Sequence, residues 1–167
     1  MAHLPAVVPL YCEAYRRLNA VTPIAADCGA LCGRRCCQGD DSRGMLLFPH
    51  EELLLSREGY ALSERSLQGR RVLFAVCRGR CRRPYRPLAC KIYPFAPVFE
   101  RGEISVVPDP RAKPFCPLLR PEAAPYLEPA FLDTVREVFS LLAHSPTVRP
   151  FLEDYSRMLA EYRRFLL

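Results

Sequence analysis

Cys28-Gly29-Ala30-Leu31-Cys32-Gly33-Arg34-Arg35-Cys36-Cys37 puts four cysteines within ten residues, spaced C-x3-C-x3-C-C. On a helix, residues at i, i+4 and i+8 nearly align, so three sulfurs would converge on one point. In a loop, Gly29 and Gly33 would instead let backbone N–H groups turn towards buried thiolates. Working outward, Cys77-Arg78-Gly79-Arg80-Cys81 repeats the x3 gap, Cys90 follows, and Cys116 lies in a proline-rich stretch. The ninth cysteine, Cys12, sits apart in a short helical pattern with Tyr11, Tyr15 and Leu18 on one face, where it reads as a small buried hydrophobe.

A disulfide framework fits poorly. Such frameworks suit short secreted chains with an even cysteine count, whereas this chain has 167 residues, nine cysteines and an adjacent pair. Its start has no basic, long-apolar or cleavage-site pattern of a secretory signal. The longest uncharged apolar run, Leu4 to Cys12, holds two prolines and is too short to span a membrane. The expected compartment is therefore the cytoplasm, with reduced thiols available to metals. Eight cysteines (Cys28, Cys32, Cys36, Cys37, Cys77, Cys81, Cys90 and Cys116) form the expected ligand set, as two sets of four or one multinuclear site. All-thiolate ligation selects Zn2+ or an iron–sulfur cluster over magnesium, calcium or manganese. No spacing is the C-x2-C of a zinc ribbon.

The rest of the chain supplies a core. Half of its residues are apolar, and a chain of this size buries about 68–70% of its unfolded surface. Met45–Phe48 and Arg71–Val76 read as strands, Pro49–Leu55 as a helix opening with acids in its first turn, and Val98–Val107 as a hairpin turning at Arg101-Gly102. Phe131, Val135, Val138 and Leu142 share one helical face. From Val148 to Phe165 apolar residues recur at steps of three and four, predicting a second helix after a Ser145-Pro146-Thr147 turn. The aromatic stripe on this helix reads as core. The expected fold is a single α+β domain over residues 1–167, mainly helical: a cysteine-rich, metal-centred core at 25–118 with a short β-hairpin, and a C-terminal helical hairpin at 128–167 packed on it.

The cysteine array, Phe48-Pro49-His50-Glu51-Glu52, and Arg86-Pro87-Leu88-Ala89-Cys90-Lys91-Ile92-Tyr93-Pro94-Phe95 together resemble the YkgJ-type cysteine-cluster family. That family is described as a zinc- or iron-chelating domain, marked by a clustered C-x-x-C-x-x-C-C run and a downstream R-P-x-x-C-R-x-Y-P-F. Here Arg86, Pro87, Cys90, Tyr93, Pro94 and Phe95 match the second mark, with Lys91 in place of arginine. The first mark is stretched by one residue per gap. The resemblance covers residues 25–118 and implies metal chelation. The motif also occurs in flagellin lysine N-methylases, but no Gly-rich strand–turn–helix for an S-adenosylmethionine site is present here. Beside the metal, Tyr93 and Phe95 would wall off water, and Arg86 would offset cluster charge or hydrogen-bond a carbonyl.

The formal charge of +6 rests on arginine, with Arg78, Arg80, Arg82, Arg83 and Arg86 crowded together and Arg70 and Arg71 upstream. Such a run is either a solvated, cluster-compensating face or a nucleic-acid footprint. No reading helix or stacking platform accompanies it, which favours the first. His50 reads as a residue at a helix start, and no nucleophile–base pair, phosphate loop or dinucleotide fingerprint is present. The functional expectation is a cysteine-ligated metal protein with a redox, sensing or accessory role. The alternative is a structural zinc module that binds a protein partner or contacts nucleic acid through Arg70–Arg86.

Overall fold

The computed structural model describes residues 4–40, 42–55, 59–79 and 82–165. It is an α+β arrangement, 47% helix and 21% strand. Among the described residues, no helix is long and apolar enough to cross a membrane.

The chain opens with α1 (Val8–Asn19), started by a proline in its first turn and burying Tyr11, Ala14, Tyr15 and Leu18 on one face. The four-residue α2 (Gly29–Cys32) and a 3-10 turn (Arg35–Cys37) carry the first cysteines. Next come the two-residue β1 (Met45–Leu46), a 3-10 turn (Glu51–Leu54), and the long hairpin β2 (Tyr60–Leu67) and β3 (Arg70–Cys77). The sheet order is β1-β3-β2, all antiparallel. Helix α3 (Leu88–Ile92) leads into the second hairpin, β4 (Phe95–Glu100) and β5 (Glu103–Pro108). Both hairpins turn through two residues of positive φ, Gln68-Gly69 and Arg101-Gly102, which matches the right-handed twist of the strands and needs glycine at the second position. A proline-rich loop then crosses to α4 (Pro129–Ala143) and α5 (Arg149–Phe165).

One core cluster runs from Val7 in α1 to Leu159 in α5. Helix α5 lies chiefly on β4, while α4 lies on α1 and β5. The helical periodicity read from the sequence is therefore a core face: Phe131, Phe139, Leu142, Phe151, Leu152 and Leu159 are all at most 1% exposed. Phe48 joins them, its ring 4.8 Å from Phe151 and 5.4 Å from Phe139. Burying such an aromatic stabilises by roughly 1.5–3 kcal/mol. The strand expected at Met45–Phe48 is confined to Met45 and Leu46, with Leu47 N–H still donating to the Leu73 carbonyl at 2.8 Å, and the helix expected from Pro49 is a single 3-10 turn. β2 carries no apolar alternation: only Tyr60 and Leu67 at its two ends are buried, so its pairing with β3 defines it.

Candidate functional site

The cysteine segment is not one helix. Its first turn ends where Gly33 and Arg34 both take left-handed backbone, at φ 61° and 57°, and a fresh 3-10 turn begins at Arg35. Local polar bonds set this shape. The Asp27 carboxylate accepts the Gly29 N–H at 3.0 Å and the Arg34 guanidinium at 3.2 Å, while the Gln38 amide donates to the Gly33 carbonyl at 2.8 Å.

Cysteines on both sides of the break reach one space, although Cys36 stays exposed. Cys28, Cys32, Cys36, Cys90 and Cys116 line a single cavity of about 60 Å³, together with Arg83, Arg86 and Lys91. Holding one water takes about 10–15 Å³, so this space is larger than one solvent molecule requires. Three separate stretches of chain thus deliver five thiols to one place: the 28–36 turns, α3 and the crossing loop. The eight described cysteines form no disulfide with one another. In this conformation, among the described residues, no three His, Cys, Asp or Glu side chains are drawn together tightly enough to hold a metal ion.

Of the three remaining expected ligands, the two described ones, Cys37 and Cys77, are not in this lining. Cys37 Sγ lies 4.0 Å from Cys36 Sγ at the cavity's edge of the chain, but is not part of the lining. Cys77 ends β3 beside the small cluster of Leu47, Tyr60 and Ala75, with its sulfur accepting the Gly79 N–H at 3.3 Å. Cys81 lies outside the described residues. Cys12 is exposed on α1, which corrects the expectation of a buried small hydrophobe: on this helix Tyr11 and Tyr15 take the core side.

Of the other expected site residues, Arg86 and Tyr93 line the cavity. Phe95 does not wall it: its ring packs 6.2 Å from Phe131 in the core, because the strand that begins at this residue turns it into the sheet–helix layer. Phe115 fills the wall position instead, stacked on Tyr93 at 6.4 Å. The peptide bond between Tyr93 and Pro94 is cis.

The cavity's charges oppose one another. Burial raises the Cys28 and Cys116 thiols above their usual range; the Asp27 carboxylate adds to this at Cys28, against the pull of Arg86 and Arg83. Cys36 moves the other way, lowered by its contact with Cys37. Lys91 is 9% exposed, and its ammonium donates to Asn19 Oδ1 at 2.5 Å and to the Arg83 and Pro84 carbonyls at 2.9 and 3.1 Å. It also sits 4.7 Å above the Tyr15 ring. Burial, then the nearby Arg83 and Arg86, push Lys91 down to about 8.

Below the cavity lies a residue that sequence reasoning passed over. Glu51 is fully buried and accepts three hydrogen bonds: from Leu88 N–H at 2.6 Å, Tyr15 OH at 2.8 Å and Phe48 N–H at 2.9 Å. Reaching back three residues to Phe48 copies one half of a capping box. Leu88 opens α3, so this carboxylate ties the helix that presents Cys90 to α1 and to the Phe48 anchor. Desolvation dominates its ionisation and raises it to about 7, against the three donors and Lys91.

The crossing loop has a similar anchor. Asp109, 1% exposed, accepts Arg111 through two parallel bonds, Nε to Oδ1 at 3.0 Å and Nη2 to Oδ2 at 2.6 Å. The same guanidinium reaches Tyr155 OH on α5 at 2.7 Å, and Asp109 N–H donates to the Pro94 carbonyl at 2.8 Å. This network sets the course of the loop that brings Cys116 to the cavity.

Among the described residues of the arginine run, Arg70 pairs with Asp154 on α5 at 2.7 Å, Arg83 donates to the Val21 carbonyl at 2.6 Å, and Arg83 and Arg86 both line the cavity; Arg80 lies outside the described residues.

No family model matches the chain, and neither a curated protein nor a solved structure does.

Proposed function

We propose that the chain binds a metal centre through the thiolates of its central cavity, with a redox, sensing or accessory role. The observation that carries this reading is the arrival of five cysteines from three stretches of chain at one partly buried space lined by three cations. Sulfur donors alone favour Zn2+ or an iron–sulfur cluster. Buried neutral thiols with raised ionisation are what a cation would reverse, since coordination deprotonates them. Cys28, Cys32, Cys36, Cys90 and Cys116 are the proposed ligands, and loading would draw their sulfurs closer together. When bound, zinc would cross-link these segments, and an iron–sulfur cluster would add electron transfer. Cys37, beside Cys36, is the nearest substitute ligand; Cys77 belongs to the first sheet. Arg86, Arg83 and Lys91 would balance the anionic thiolates, and Tyr93 with Phe115 would limit water. The YkgJ-type resemblance points the same way.

The alternative, a structural zinc module contacting nucleic acid through Arg70–Arg86, draws less support, because Arg70 and Arg83 are committed to the protein itself and Arg86 lines the cysteine cavity. It predicts nucleic-acid binding that weakens steeply with salt.

The test is purification without oxygen, followed by absorption spectroscopy and elemental analysis. Brown protein with sulfur-to-iron charge transfer identifies an iron–sulfur cluster; colourless protein with near-stoichiometric zinc identifies zinc. Cys32→Ser and Cys90→Ser should each lose the metal. Protein that binds neither iron nor zinc after reconstitution overturns the proposal.

A further inference from the structure

Beside the cysteine cavity lies a much larger groove of about 1060 Å³. Residues of 35–39 and 42–46, the end of β2, the proline-rich loop and the last turns of α5 form its walls. Cys36, Tyr93 and Phe115 line both spaces, so one thiol and two stacked rings divide them. Its size reaches the top of the range of about 300–1,000 Å³ common for small-molecule sites.

The lining is mixed in a specific way. Leu46, Leu67, Phe74 and Met158 make an apolar floor. Among the described residues, four guanidiniums (Arg35, Arg43, Arg65 and Arg111) line it with one carboxylate, Glu161, which already accepts the Gln68 amide at 2.9 Å. Asp40 and Asp109 hold Arg43 and Arg111 in place. Arg65 lies over the Phe74 ring, 5.1 Å from its centre, and donates one N–H to the Glu64 carbonyl at 3.0 Å; among the described residues Arg35 enters no ion pair. Arginine offers a planar fork that matches carboxylate or phosphate oxygens, and its stacking on Phe74 keeps one such fork at the apolar floor.

We propose that this groove binds a small organic anion, a carboxylate or phosphate carried on an aromatic or aliphatic body, directly behind the thiol wall of the cysteine cavity. The apolar floor takes the body, and Arg35 and Arg65 take the charge. The proposal goes beyond metal binding and does not depend on it, because Cys36 is the only proposed ligand in the groove's lining.

The test uses the full chain, metal-free and zinc-loaded, with two fluorescent probes of one shape. 8-Anilino-1-naphthalenesulfonate carries an anion on an aromatic body, and N-phenyl-1-naphthylamine is the same body without it. The expected result is saturable one-site binding of the sulfonate at least about tenfold tighter than the neutral probe. The double variant Arg35→Glu, Arg65→Glu should bring the two probes to within about twofold of each other; both side chains are exposed, and an unchanged melting temperature checks the fold. Displacement by octanoate against octyl phosphate then tells carboxylate from phosphate. Equal affinity of the two probes, no binding of either, or sulfonate affinity unaffected by the double variant overturns the proposal. Probe binding that survives in a chain unable to take up zinc or iron would sink the metal reading alone.

Discussion

The helical layer and the cysteine segment are held by different forces. In α4 and α5, Phe131, Phe139, Phe151 and their neighbours vanish from solvent into one continuous core. Between Cys28 and Asp40 only Gly29 is buried, and the shape rests on local polar bonds of Asp27, Arg34, Gln38 and Asp40. Exposed bonds of this kind contribute about 0–1 kcal/mol each. The first region is stable through burial alone. The second is placed by its neighbours and, on the proposed function, tightened by its ligand.

Substitutions that separate burial from local bonding should break or sharpen this contrast. The largest loss is expected for Phe151→Ala, about 3–5 kcal/mol by urea denaturation, because the cavity opens among Phe48, Tyr155 and the α4 side chains. A loss under about 1 kcal/mol would mean that the layer is not a packed core. Asp109→Ala should follow at about 3 kcal/mol, since it strips a half-buried Arg111 of its paired carboxylate. It should also weaken metal uptake through Cys116, which zinc competition assays would detect.

Glu51→Gln is expected to cost about 1–3 kcal/mol, because an amide cannot accept from all three donors as a carboxylate does. It carries a signature in pH. Folding raises the Glu51 carboxyl from 4.5 to about 7, so the native state holds the proton more tightly. The stability contributed by the protonated form is complete below about 4.5 and is lost as pH rises through about 7. Denaturation of metal-free protein should therefore show the wild type losing stability relative to Glu51→Gln across that window. Parallel curves would refute the assignment. The smallest effect belongs to Cys32→Ser: within about 0.5 kcal/mol for metal-free protein, with the metal content lost.

This contrast also decides what the sequence could disclose. α1, β3, the second hairpin, α4 and α5 are legible because burial imposes a period on apolar residues. β2 is not, since Ser63-Glu64-Arg65-Ser66 faces solvent and owes its strand to backbone pairing with β3. Spacing identifies the cysteines as a group, yet it cannot tell which of them the fold brings to one space, so Cys77 joins the expected set although it ends in the first sheet. Phe95 belongs to the same motif as Tyr93, but a strand alternates its faces and sends it to the core. Glu51 looks like an ordinary first-turn acid; two of its three donors, Tyr15 and Leu88, come from residues distant in the chain, which no local pattern records.

Lys91 imposes a covenant on residues far from it in the sequence. Its ammonium is a compact charge encircled by an Asn19 side chain and two carbonyls of the 83–84 turn. A guanidinium in that place is flat and carries five N–H donors, so it would need a differently shaped set of acceptors. Lys91 is thus part of a matched set with Asn19 and the Arg83-Pro84 backbone. Placing arginine there would be a three-part edit, and swapping the single letter would strand buried donors one residue from Cys90.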